Sequence, residues 1–467
     1  MDNMDNMDTH VVSKKSRKIL QNIHKIYLLI AVIGGLLISI AMPMFNEPDG
    51  QYHFSVSSAM VGLNTDISKY GEPEISSGMY RQKEFYQSGT FLEQYLFTKA
   101  TLYPIKDSPR DLELDNKFSY NYIGHVIPAI GIWLGYHLYP SMGVMIIVAR
   151  IFSMLIYSFT MYFIIKYLKF GKLLFATISL SPVIMNTFSS LSYDGYGMII
   201  TASSVAIIIN MIAQKKVKIW HIVTITILMI LSVIGSKPNL WVINLLFPFS
   251  IVITALMPRN EKRESLYQRR NKEKKNILIK YKWLFLIGSL IIFVVVGSYL
   301  ARDRGGLFEV MTRLIFTQTF RVVDGVKTND FINLLVAPYN VYNYMPGGLI
   351  AVWGVLVAVV SISEKSYHKS VLLPWVSFIV ILLGIFSTYF GFLGFGDLLG
   401  FGLRMTVQGV QWRYFTPLLL VLPLIFSSSR IKFKAMNTNS LVIFMAITAI
   451  VSNFLLVFNT LWGMIMV

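Results

Sequence analysis

Two carboxylates and an imidazole fall within seven residues in the run Asn46-Glu47-Pro48-Asp49-Gly50-Gln51-Tyr52-His53-Phe54. Pro48 and Gly50 favour a turn that presents both carboxylates. A carboxylate held there can take the proton of an acceptor hydroxyl. Glu47, Asp49 and His53 could also bind a divalent metal, magnesium or manganese, although no cofactor is required by the sequence. The plain alternative is a solvated turn.

Cations at other apolar boundaries suit an anionic partner. Arg150 lies inside an apolar run, where a guanidinium is costly without an anion. A lipid phosphate or a carboxylate such as Asp49 would serve, and a structural ion pair is the plain alternative. Lys237 interrupts two apolar runs in Gly235-Ser236-Lys237-Pro238-Asn239. It is either a phosphate ligand or a snorkelling lysine. Arg404 and Arg413 lie in the stretch 403–417, and Arg413 is flanked by Trp412 and Tyr414. Aromatic residues at that depth are ordinary membrane-belt residues. Asp194 sits in Ser190-Leu191-Ser192-Tyr193-Asp194-Gly195, a turn with several hydrogen-bonding neighbours.

These residues must be positioned by membrane helices. Only 14% of the 467 residues are charged and 54% are hydrophobic, with a mean hydropathy of +0.57. A soluble domain carries about 25% charged residues, so an ordinary soluble enzyme and a disordered chain are both excluded. The chain reads as all-α, a polytopic membrane protein of about eleven spans. The spans fall near 26–45, 141–168, 173–191, 195–213, 219–236, 238–257, 283–301, 346–362, 371–391, 414–428 and 440–459. Residues 1–25 form a cytoplasmic tail, and 26–467 a single transmembrane domain. The first apolar run is too long for a cleaved signal and has no cleavage site after it.

Charge sets the orientation. Residues 46–122 hold eleven acidic and seven basic residues, whereas the loop 259–282 holds ten Lys and Arg. Placing the N-terminus in the cytoplasm puts every basic cluster inside and the loops 46–140, 302–345 and 392–413 outside. Counting 123–140 as a span would invert them, so that segment is expected to be interfacial or re-entrant. The net charge of +18 therefore reports orientation and attraction to anionic lipid rather than nucleic-acid binding. The long first loop also carries aromatics, among them Tyr80, Phe85, Tyr86 and Phe91, that can stack on sugars or pack an interfacial helix.

There is no cysteine, which excludes disulfides, thiolate metal sites and cysteine nucleophiles. No phosphate-binding GxxxxGK[ST] loop, HExxH or GxSxG motif is present.

Four pieces in order are similar to the bacterial multi-pass family called domain of unknown function 2142. They are Asn46 to Phe54, Leu180-Ser181-Pro182 with Ser192-Tyr193-Asp194, Ser236-Lys237-Pro238, and Gly409 to Pro417. The family pattern usually reads Pro-Asp-Glu. Here it is Pro-Asp-Gly, with Glu47 ahead of the proline, and Trp412 stands in place of a glycine. That family looks like the GT-C class of membrane glycosyltransferases. The resemblance implies inverting transfer of a sugar from a polyprenyl-phosphate donor to a cell-surface glycan or polymer, outside the cytoplasmic membrane. Asp49 would be the base, with Glu47 assisting. Arg150, Lys237, Arg404 and Arg413 would face the donor phosphate, and His53 and Asp194 are further candidates. The rival readings are a transporter or flippase of lipid-linked glycan, a polysaccharide polymerase or ligase, and a scaffold.

Overall fold

The computed structural model describes residues 19–67, 88–104, 112, 114–257, 294–295, 297–319, 322–323, 326–327, 331–338, 344–364, 366–393, 407, 409–428 and 437–465. These residues are mostly helical. A two-residue antiparallel pair, Val322–Val323 with Val326–Lys327, is the one ladder among them.

Among the described residues six helices are long and apolar enough to cross a membrane. Helix α1 is Ile23–Ala41. It buries Ile23, Tyr27, Ala31, Gly35 and Ile38, one per turn, against the bundle. Leu29, Ile33, Leu37 and Ile40 point the other way and are exposed, although apolar. A helix apolar all round with one buried stripe belongs in lipid. The second such helix, Met142–Tyr167, repeats the logic with Met145, Ala149, Ser153 and Tyr157 inward. Asp194–Gln214 is the most enclosed of the six and forms the bundle's axis. Pro238–Ala255, Leu372–Gly391 and Thr438–Gly463 complete the set.

The remaining expected spans depart from plain helices. Ile219–Gly235 and Leu349–Ser363 are helices of 17 and 15 residues. Segment 173–191 is two helices, Lys172–Ser179 and Pro182–Phe188, broken at Leu180-Ser181. Pro182 has no N–H and cannot continue the ladder. The Leu180 carbonyl, whose helical partner Ile184 N turns to Ser181 Oγ, accepts a hydrogen bond from Asn453 Nδ2 at 2.9 Å, which is how a broken helix is tolerated away from water. Segment 414–428 is a 3₁₀ helix, Trp412–Val421, running into a short α-helix, Leu422–Phe426. The 283–301 span lies largely outside the described residues.

Segment 123–140 contains a 13-residue helix, Val126–Leu138. At 1.5 Å per residue it is about 20 Å long, short of the roughly 30 Å hydrocarbon core. Its glycines are contact points rather than breaks. A Cβ on Gly131 would lie 2.5 Å from the Ala149 Cα, and one on Gly135 would lie 2.7 Å from the Met145 Cα. Two glycines four apart thus let this helix press backbone to backbone on Met142–Tyr167.

One apolar cluster runs from Ile23 to Val457, and two smaller clusters lie under the first loop. The candidate site sits where α1 ends at Met42, Met142–Tyr167 begins, and Asp194–Gln214 begins. We call this the site end.

Candidate functional site

The turn after α1 is forced into an unusual path. Phe45 has φ 54° and Asp49 has φ 59°, both left-handed. A bulky residue such as Phe45 rarely adopts that conformation, and such positions cluster at functional sites. Gly50 is required next, because a Cβ there would stand 2.7 Å from the Phe45 Cα. Asp49 then caps the helix Gly50–Met60, and His53 N donates to Asp49 O at 2.9 Å. The Asp49 side chain is half-buried, and no hydrogen bond or ion pair engages its carboxylate among the described residues.

Glu47 has a different fate. Its Oε2 accepts from Arg150 Nη2 at 2.6 Å, and its Oε1 from Leu191 N at 3.5 Å. Arg150 also donates from Nη1 to Met42 O at 2.8 Å and from Nη2 to Pro43 O at 3.0 Å. Arg150 therefore clamps the C-terminal end of α1 to the helix Met142–Tyr167. The carboxylate it meets is Glu47 rather than Asp49, and its guanidinium faces no open space for a donor phosphate. Glu47, held this way, presents a clamp rather than a free base.

Asp194 is the centre of the second cluster. Lys237 Nζ lies 2.9 Å from Asp194 Oδ1, and Arg413 Nη1 lies 2.7 Å from Oδ2. Arg413 Nε donates to Gln411 Oε1 at 2.6 Å. Ser192 Oγ accepts from Asp194 N at 3.2 Å, which fixes the turn before the axial helix. The lysine ammonium sits between two aromatic faces, 4.7 Å from the Tyr193 centroid and 4.2 Å from the Tyr414 centroid. Asp194 and the two tyrosine rings hold Lys237 charged, well above the ordinary lysine range, despite its burial. One carboxylate against two cations leaves a net charge of +1. Asp49 is close enough to act electrostatically on Arg413. A small, partly open recess adjoins this cluster. Its lining combines the polar Thr187, Asp194, Lys237, Asn239 and Arg413 with apolar residues that include Met198 and Leu240.

A third cluster was not visible in the sequence. His53 Nδ1 lies 2.8 Å from His125 Nε2. His125 Nδ1 in turn meets the Asn121 carbonyl. Both rings are buried. Burial pushes the His125 imidazole down to about 4 and the His53 imidazole well below its ordinary value. His125, Lys237 and Arg413 push His53 the same way, whereas Asp194 opposes them. The Tyr193 ring stands edge-on to both imidazoles, at 4.8 Å and 5.2 Å.

The structure thus brings Asp49, His53, Asp194, Lys237 and Arg413 into one neighbourhood and assigns Glu47 and Arg150 to each other. Arg404 lies outside the described residues. Glu47, Asp49 and His53 do not converge as a metal ligand set, and among the described residues no group of three or more His, Asp or Glu does. Glu47 is neutralised by Arg150, and His53 Nδ1 is spent on His125. His125, Tyr193 and Tyr414 are the additions. The one signal that could have found them is a histidine in an otherwise apolar segment, His125.

The helices and the polar site at one end of the bundle define a multi-pass membrane protein with a charged, partly enclosed recess. The chain belongs to the predicted membrane protein family DUF2142, whose sequence model matches residues 32–422. No curated protein and no solved structure matches it.

Proposed function

We propose that this protein is a glycosyltransferase of the GT-C type, moving a sugar from a polyprenyl-phosphate donor to a cell-surface glycan. It would lie in the bacterial cytoplasmic membrane with about eleven spans, its N-terminus inside and the site end outside. The observation that supports this best is the recess, lined both by a cluster of net charge +1 and by apolar side chains. A polyprenyl-phosphate sugar is a phosphodiester with one negative charge, a polar sugar and an apolar chain; the charge suits Lys237 and Arg413, and the chain suits the apolar lining. Lys237 and Arg413 would stabilise the phosphate as it leaves, the role a magnesium or manganese ion plays elsewhere. Asp49, which has no ion-pair partner among the described residues and acts electrostatically on Arg413, would take the proton of the acceptor hydroxyl. Arg150 and Glu47 would hold the turn in place.

The break at Leu180-Ser181 favours one rival. Interrupted membrane helices recur in transporters, so passage of a lipid-linked glycan across the membrane is the second reading. Purified protein supplied with labelled polyprenyl-phosphate sugars and a cell-envelope acceptor separates the two. We expect transfer by the wild type, and a loss of about 10²–10⁴-fold in Asp49→Asn with donor binding kept. Equal turnover would remove Asp49 from the base role. Donor translocation in proteoliposomes without any transfer would establish the second reading instead.

A further inference from the structure

The His53–His125 pair can be assigned proton by proton. Asn121 is fixed from three sides. Its Nδ2 donates to Leu112 O at 3.0 Å, its Oδ1 accepts from Tyr52 OH at 2.7 Å, and its carbonyl faces His125 Nδ1. A carbonyl oxygen only accepts, so His125 Nδ1 carries a hydrogen. In a neutral ring Nε2 then holds a bare lone pair. His53 Nδ1, 2.8 Å from that lone pair, must be the donor. The same rule leaves the lone pair of His53 on Nε2. Two buried imidazoles and one backbone carbonyl therefore fix a single tautomer, with a base at the end of the chain.

We propose that His53 Nε2 receives the proton that the acceptor hydroxyl gives up at Asp49, with His125 as the positioning residue that keeps this lone pair free. The proposal rests on the transferase reading. Asp49 and His53 are one helical turn apart, joined by the backbone bond His53 N to Asp49 O, and both border Arg413 electrostatically. The acceptor O–H bond breaks, and its electron pair forms the new bond to the anomeric carbon. The old anomeric C–O bond breaks toward the phosphate, which leaves as polyprenyl phosphate with one more negative charge. The proton passes from Asp49 to His53 Nε2, while His53 Nδ1–H goes on donating to His125. The groups facing His53 are His125, Tyr52, Tyr193, Asp194, Lys237 and Arg413. Of these, Asp194 favours the imidazolium, and His125, Lys237 and Arg413 disfavour it. A phosphate gaining charge beside them offsets that effect at the moment the proton arrives. Release of the phosphate would then discharge the proton.

Transfer is measured across pH for full-length wild type, His53→Ala, His125→Gln and His125→Leu, with and without imidazole. Glutamine keeps an oxygen that can accept from His53 Nδ1, and leucine does not. We expect His53→Ala to fall by about a hundredfold and imidazole to restore much of the rate. His125→Gln should stay near wild type, whereas His125→Leu should fall, with mixed His53 tautomers by nitrogen-15 NMR. Three results overturn the assignment: wild-type rates in His53→Ala, a loss that imidazole leaves unchanged, or equal rates in the two His125 variants. A wild type that transfers nothing is a failure of the transferase reading, and it withdraws the catalytic role even where NMR finds the His53 tautomer fixed.

Discussion

Glu47 Oε2 stands 2.6 Å from Arg150 Nη2, with the two side chains 3% and 2% exposed. An ion pair sealed from solvent is costly to form and more costly to break on one side. Losing one partner of such a pair costs about 3–5 kcal/mol, whereas replacing both by apolar groups is often neutral. Glu47→Leu and Arg150→Leu should each lower the thermal unfolding temperature strongly in detergent. The double variant should recover much of the loss. A double variant as unstable as the sum of the singles would mean that Arg150 acts through the Met42 and Pro43 carbonyls alone.

Asp194 balances two cations, so its removal and theirs should have opposite electrostatic effects. Lys237→Met should weaken binding of a polyprenyl phosphate by about 1.5–3 kcal/mol, the range of a hydrogen bond to a charged group. Asp194→Asn raises the local charge to +2 and should tighten binding of inorganic phosphate while disordering Lys237. Binding isotherms for both ligands in both variants check this. Unchanged affinity in Lys237→Met would show that the recess does not hold the phosphate.

The turn at Gly50 is tested by adding one carbon. Gly50→Ala places a Cβ against the Phe45 backbone, and overpacking of this kind typically costs about 1–3 kcal/mol. Because the turn also aims Asp49, sugar transfer should fall further than stability does. Parallel measurement of unfolding temperature and transfer rate distinguishes the two effects.

Acid should undo the site before it undoes the bundle. His125 is held neutral by burial, down to about 4 from an ordinary 6.5. Below about pH 6.5 the unfolded chain takes up a proton that the folded chain refuses. The contribution of His125 is thus complete above that pH and is lost as pH falls toward 4. His53 is shifted the same way. His125→Gln should flatten the stability profile between about pH 6.5 and 4. A slope identical to wild type would show that other groups carry the acid sensitivity.

The opposite end of the bundle has a group with the opposite sign. Glu364 Oε1 accepts from Leu174 N at 3.3 Å, at the start of helix Lys172–Ser179. Burial raises its carboxyl to about 7, against the pull of the Gly171, Leu173 and Leu174 amides. A carboxyl raised in the fold stabilises fully below its unfolded value of about 4.5, and that contribution is lost as pH climbs through about 7. Glu364→Gln, which keeps an acceptor, should remove this decline, on the order of 3 kcal/mol. Unfolding temperature against pH for the two proteins decides it.

Composition and apolar periodicity determined that the chain is a helical membrane protein, because the need to cover backbone polar groups in lipid acts locally. They also determined the boundaries of most long helices and the gathering of Asp49, Asp194, Lys237 and Arg413 at helix ends, since a charge is tolerated only where an apolar run stops. Partnership was another matter. Glu47 and Arg150 are 103 residues apart, Asp194 and Arg413 are 219, and Leu180 and Asn453 are 273. Nothing in the spacing tells a carboxylate which distant cation it will meet. Only the packed bundle chose Glu47 over Asp49 for Arg150, set His125 against His53, and turned the glycines of Val126–Leu138 into a contact face. Those choices depend on which helix faces touch, and that is fixed by the shape of the assembled core rather than by any one segment.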